Sequence, residues 1–223
     1  MKRTFIGLLL LFFAGSAFAQ DSSSPYYGFR LGLTAHPTIG WVKPDIGKSN
    51  GVSLGFSYGL IGDFNFTKNY SFATGLAITT VNGRSTEIVT TNNGSGAAAS
   101  QAELDLKYKL QYVEVPLTLK LKTVKIGEAR YYGQFGLSNG ILIGAKQDIE
   151  LSNVATTKGV NIKDDIKFYR AGLIIGAGAE FDVSGNTSIT TGLTFNNGFT
   201  DITSSKGSSV KNHYVGINFG VFF

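Results

Sequence analysis

The chain has 223 residues, 20 Lys and Arg against 15 Asp and Glu, 29 Gly, 13% aromatic residues and no Cys. Without Cys there is neither a disulfide framework nor a lipid-modified cysteine anchor. The net charge of +5 becomes +3 once Lys2 and Arg3 of the leader are set aside, and no basic stripe with interleaved aromatics accompanies it, so no nucleic-acid partner is expected.

Residues 1–19 combine that charged start with an apolar run from Phe5 to Phe13 and the small-residue site Ala17-Phe18-Ala19. This is the pattern of a signal peptide cleaved before Gln20. The run is short for a transmembrane helix, and none of similar length follows. A polar linker is expected over residues 20–25 and the main domain over 26–223.

From there the chain alternates with a period of two. In the first strand Tyr27, Phe29, Leu31, Leu33 and Ala35 alternate with Gly28, Arg30, Gly32 and Thr34. The second sets Val52, Leu54, Phe56, Tyr58, Leu60, Phe64 and Phe66 against Ser53, Gly55, Ser57, Gly59, Asp63 and Asn65. The third shows Phe72, Thr74, Leu76 and Ile78 on one face. The fourth sets Val113, Val115, Leu117, Leu119 and Leu121 against Glu114, Pro116, Thr118 and Lys120. Strands five to seven are expected near residues 131–146, 166–181 and 187–196. The eighth carries His213, Val215, Ile217, Phe219, Val221 and Phe223 on one face and Asn212, Tyr214, Gly216, Asn218, Gly220 and Phe222 on the other. One apolar face and one small or polar face is how a membrane-spanning strand reads.

The connections alternate in length. Short turns are expected at residues 67–69, 127–129 and 184–186, and long polar loops at 36–51, 83–103, 150–165 and 200–210. The expected fold is all-β: an eight-stranded antiparallel up-and-down transmembrane β-barrel with both termini and the short turns in the periplasm. Closure also removes the edge-strand problem. In the second loop, the β-prone residues 86–91 and the turn signal Asn92-Asn93-Gly94 predict a protruding hairpin. The apolar phase of strand four moves from Leu106, Tyr108 and Leu110 to Val113 and Val115. That predicts a β-bulge near Tyr112, unless residues 106–111 lie outside the bilayer and obey no lipid rule.

Aromatic girdles are expected at both rims. One holds Tyr26, Tyr27, Phe64, Phe66, Tyr70, Phe72, Tyr131, Tyr132, Phe181, Phe222 and Phe223, and the other Phe168, Tyr169, Phe195 and Tyr214.

The segment Tyr112-Val113-Glu114-Val115-Pro116-Leu117-Thr118-Leu119-Lys120 resembles the Y-hydrophobic-E-hydrophobic-P-hydrophobic…K segment of the PorT-like outer-membrane β-barrel proteins of Bacteroidetes, often labelled porin family. The resemblance implies a bacterial outer-membrane location. The family is functionally heterogeneous, its namesake assisting a secretion system. By resemblance to other outer-membrane barrels, the terminal Phe223 is an assembly signal, which implies the barrel-assembly machinery as a partner.

An eight-stranded barrel is only wide enough for side chains to fill. Parity places Arg30, Asp63, Glu114, Lys120, Arg170 and Glu180 in the lumen, three basic and three acidic. Charges withdrawn from water need partners, so a paired network that plugs the barrel is expected. The alternative is a narrow channel for ions or small solutes, gated by the same pairs.

The two histidines, His36 at the end of strand one and His213 at the start of strand eight, are expected near each other at the outer rim, within reach of Asp45, Asp201 and Ser204, Ser205, Ser208 and Ser209. A metal site or a rim hydrolase would suit such a pair. Two solvent-facing histidines are the plainer reading, because no nucleophile turn or ligand-spaced motif surrounds them. Gly176-Ala177-Gly178-Ala179 lies inside a strand, outside the context of a phosphate loop. No catalytic residue, cofactor or metal is expected. The loop cations Lys43, Lys48, Arg84, Lys107, Lys109, Lys158, Lys163, Lys167, Lys206 and Lys211 are nearly balanced by loop acids. They read as a solvated face from which a few lysines meet phosphates of outer-membrane lipid or lipopolysaccharide. The expected role is non-enzymatic, structural or interactive, with an envelope or secretion protein as the expected kind of partner.

Overall fold

A computed structural model describes residues 28–91, 100–151, 155–204 and 209–223. The leader, the linker, Tyr26, Tyr27, the Asn92-Asn93-Gly94 turn, Ser205, Lys206 and Ser208 lie outside the described residues.

Among the described residues nine strands follow one another: β1 (Gly28–Pro44), β2 (Lys48–Asn65), β3 (Tyr70–Thr91), β4 (Ser100–Lys122), β5 (Ala129–Leu151), β6 (Ala155–Asn161), β7 (Tyr169–Ser184), β8 (Thr187–Gly198) and β9 (Val210–Phe222). Eight close a ring in the order β1-β2-β3-β4-β5-β7-β8-β9, with β9 paired back onto β1. Every neighbouring pair is antiparallel, so the ring is an up-and-down barrel without a free edge. The ninth element, β6, pairs only with the far part of β5 and stands outside the ring, in the third loop.

At one end the connections are short, at residues 66–69, 123–128 and 185–186. At the other end the outcome departs from expectation in the first connection. Residues 36–51 are not a polar loop: β1 runs on to Pro44 and β2 resumes at Lys48. The strands extend past the apolar band because backbone pairing continues to satisfy N–H and C=O groups wherever the chain goes. The β3–β4 hairpin protrudes furthest, in unbroken register from Tyr70↔Leu121 to Thr91↔Ser100.

The outer wall is apolar. Phe29, Leu31, Leu33, Phe56, Leu60, Leu76, Leu137, Ile175, Leu193 and Phe219 all stand exposed on it. An apolar band this size is tolerable only against lipid.

The predicted slip in β4 does not occur. Leu106, Tyr108, Leu110, Tyr112, Glu114, Thr118, Lys120 and Lys122 are all buried, so even positions point inward along the whole strand. The irregularity opposite Tyr112 is real but belongs to β5: Gln111 pairs Gly144 and Tyr112 pairs Leu142, leaving Ile143 as the extra residue. Leu106, Tyr108 and Leu110 face inward because at this end the barrel interior holds an apolar core, formed with Val42, Val81, Leu142, Ile162, Ile166, Ile202 and Val210. Outside lipid the hydrophobic effect draws apolar groups inward, and the lipid rule inverts.

Candidate functional site: the filled lumen

Inward parity sets which side chains meet in the lumen, and they gather in three tiers along the barrel axis. At the short-turn end, Arg30 of β1 donates to Asp63 of β2 at 3.2 Å, to Glu180 of β7 at 3.0 Å and to Ser188 of β8 at 3.1 Å. Lys120 of β4 donates to Asp63 at 3.1 Å and also to Glu180. Lys122 donates to Asp63 and to Asn65, each at 3.0 Å, and lies 3.4 Å from Glu180. Three cations thus surround two buried carboxylates. Aromatic faces cover them: the Arg30 guanidinium lies 4.5 Å from the Phe222 ring centre and the Lys120 ammonium 4.3 Å from that of Tyr132. Cation–π attraction of this kind strengthens when water is excluded.

In the middle tier Arg170 of β7 is fully buried. Its Nη1 donates to Glu114 Oε1 at 3.0 Å and its Nη2 to Asn196 Oδ1 at 2.9 Å and to the Asn212 carbonyl at 3.1 Å. Its Nε donates to the Asn212 side chain. Tyr214 donates to the second Glu114 oxygen at 2.7 Å, and Asn196 donates to Ser138 at 2.8 Å. One guanidinium therefore ties β4, β7, β8 and β9 together, with its rigid fork of donors almost wholly satisfied. Two glycines make room for this. A Cβ on Gly172 would stand 2.4 Å from Asn196 Oδ1, and one on Gly198 would stand 2.2 Å from the Asn212 carbonyl and 3.0 Å from Arg170.

Between these tiers lies a chamber of about 130 Å³, bordered by His36, Ser57, Thr79, Glu114, Thr190 and Asn218 among others. His36 Nδ1 finds no hydrogen-bond partner there. Its wall mixes these polar groups with apolar side chains, among them Leu60, Ile61, Ile174 and Phe222.

The third tier is the apolar core, roofed by two loops. Lys167 and Ile202 join through their backbones at 2.7 Å, as do Ser204 and Asp165 at 2.8 Å. Asp201 fastens the roof by accepting from Lys167 Nζ at 2.5 Å and from the amides of Thr203 and Val210 at 3.1 and 2.9 Å. Burial would raise the Asp201 pKa, but the Lys167 ammonium and these two amides outweigh it and hold the carboxyl below the usual range.

All six expected lumen charges, Arg30, Asp63, Glu114, Lys120, Arg170 and Glu180, lie inside the ring. Sequence reasoning missed Lys122, which parity alone would have found, being two positions from Lys120. It also set Tyr132, Phe222 and Tyr214 in the girdles. Each is buried and turned inward, where the ring of Tyr132 or Phe222 serves a cation and the hydroxyl of Tyr214 serves Glu114.

The expected rim pair does not form. Trp41, not His36, stands opposite His213, and His36 lies deeper in β1, bordering the chamber. His213 belongs to the odd, outward face of β9, so the two histidines lie on opposite sides of the wall. Among the described residues no group of three or more His, Asp or Glu is placed to hold a metal ion.

A closed antiparallel ring with a lipid-suited outer wall and a charged, hydrogen-bonded interior is a transmembrane β-barrel. Residues 18–204 match the family described as outer membrane protein beta-barrel domain, and the chain belongs to that family of bacterial outer-membrane barrels. No curated protein shows significant sequence similarity to it. Among solved structures, Neisserial surface protein A is 15% identical over 91% of this chain and 98% of its own, with a TM-score of 0.48. OprG of Pseudomonas aeruginosa is 13% identical over 89% of this chain and 97% of its own, at 0.47. Ail, the attachment invasion locus protein of Yersinia pestis, is 15% identical over 87% of this chain and 99% of its own, at 0.33.

Proposed function

We propose that the protein is a closed, non-enzymatic barrel that presents its long-loop end outside the cell as an interaction surface, with both termini in the periplasm. The observation that carries this reading is the triple obstruction of the lumen: a five-membered charge cluster, the Arg170 network and the apolar core in series. An ion would have to displace buried ion pairs and then cross apolar side chains, each step unfavourable. With the lumen filled, the protruding strands and roofed loops are the parts free to meet a partner. The PorT-like character of residues 112–120 supports an accessory role in secretion or surface assembly.

The chamber beside His36 favours a second reading, a narrow channel whose gate is the charge network. Single-channel recording of the purified protein in a planar bilayer separates the two, with a Glu114→Ala, Glu180→Ala variant alongside. A silent wild type supports the closed barrel. Reproducible small steps that change in the variant overturn it in favour of the channel.

A further inference from the structure

The seam that closes the ring carries charges with no counterpart in the fold. On its outward face Trp41 of β1 stands opposite His213 of β9, and Lys43 stands directly opposite Lys211. Trp41 is the one Trp of the chain. Its ring stacks on Phe195, with centroids 6.1 Å apart and planes 8° apart, and lies 5.8 Å from the His213 ring. Below this group the wall is apolar, with Leu193 and Ile217 exposed to lipid. The two lysines therefore sit where the lipid-facing band ends.

Like charges directly opposite on one face of a sheet repel. Neither lysine forms an ion pair among the described residues. Asp45, beyond Pro44, forms none with them either, and Asp201 is occupied by Lys167 and two backbone amides. Cations also face each other at Arg84 and Lys107 and at Lys109 and Lys146, and at the latter pair Asp148 lies 2.5 Å from Lys109. At the seam no carboxylate plays that part. The charges bearing on His213 are Arg170, Lys43 and Lys211, all cations. His213 is only 8% exposed and its Nδ1 has no hydrogen-bond partner among the described residues.

We propose that Lys43 and Lys211, flanked by Trp41 and His213, bind the phosphate of a lipid headgroup at the membrane surface. A phosphate between the two ammonium groups turns their repulsion into two charge-assisted contacts. Trp favours the headgroup level, which sets the site at the right depth. The occupant is a lipid because a wall that spans the bilayer brings headgroups to this height on this face. The inference needs only that span and is independent of whether the lumen conducts.

Because Trp41 is unique, its fluorescence reports on this site alone. The protein is reconstituted in phosphatidylcholine vesicles containing either brominated phosphatidic acid or brominated phosphatidylcholine at equal mole fraction, and quenching of Trp41 is compared. The expected result is stronger quenching by the phosphatidic acid, a preference of roughly fivefold for each lysine. A Lys43→Gln, Lys211→Gln variant is expected to lose it, and Lys68→Gln at the short-turn end to keep it. Equal quenching by the two lipids in the wild type, or a preference that survives in the double variant, overturns the proposal. Relief of the quenching by millimolar inorganic phosphate would overturn the lipid source and identify a soluble anion site instead.

Discussion

Arg170 and Glu114 meet at 3.0 Å although they come from β7 and β4, strands that β5 separates in the ring, and neither side chain is open to solvent. A pair of this kind holds the wall across the lumen, where neighbouring-strand hydrogen bonds do not reach. Removing one partner leaves the other charge buried and alone, which costs about 3–5 kcal/mol. Arg170→Met and Glu114→Gln are each expected to lower the urea midpoint in lipid vesicles by that order. The double variant should lose less than the two single losses added together. Additive losses would show that the pair does not act as a unit.

The short-turn cluster has a cation in excess, which predicts an asymmetry between its members. Glu180→Gln would leave Arg30, Lys120 and Lys122 around Asp63 alone. Lys122→Met would leave two cations with two carboxylates. The first is expected to cost several kcal/mol and the second about 1 kcal/mol or less, measured by equilibrium unfolding. Equal costs would refute this ordering.

Gly198 lies against the Asn212 carbonyl and Arg170, so Gly198→Ala must push backbone aside. A loss of about 1–3 kcal/mol is expected, as for other overpacked sites. Gly133, with nothing nearer than 4.0 Å to an added Cβ, is the control, and Gly133→Ala should be nearly neutral.

The roof over the apolar core should loosen in acid. The Asp201 pKa is lower in the folded protein than in the unfolded chain, so its contribution is fully present above the usual aspartate value of 3.8. It is lost as the pH falls through the lower, folded value. The amide resonances of Thr203 and Val210, which Asp201 accepts from, should titrate together with a midpoint below 3.8, and Asp201→Asn should abolish the titration. A midpoint above 3.8 would contradict the arrangement.

Phe223 is exposed, and its amide donates to the Leu31 carbonyl at 2.9 Å across the seam. A backbone bond survives side-chain truncation, so Phe223→Ala should keep most of its folded stability in lipid. If the residue is an assembly signal, the variant should instead reach the outer membrane more slowly in cells, as followed by pulse-chase fractionation. Unchanged assembly would remove that role.

Much of the lumen was legible from parity. Side chains on a strand alternate, so fixing one residue per strand as inward assigns the rest, and Arg30, Asp63, Glu114, Lys120, Arg170 and Glu180 follow. Less legible was the medium each face meets. Leu106, Tyr108 and Leu110 look like lipid-facing residues because apolar alternation has the same form whether the apolar face meets lipid or a core. The signal that would have corrected this was Tyr112 and Glu114 at the same parity, since Glu114 had to be inward. For His36 and His213, adjacency along the seam is a weaker guide than parity, which sets the side of the wall each one faces.

The sequence by itself determined the class of fold, the direction of each strand and which charged side chains leave the lipid, because these depend on a local period of two. The tertiary structure decided which charges pair. Asp63 and Glu180 share Arg30, Lys120 and Lys122, and Glu114 takes Arg170, because ring closure and strand stagger set which inward residues stand at the same depth. Closure alone placed Lys43 against Lys211 at the seam without a carboxylate, since residues 168 positions apart become neighbours only when β9 returns to β1.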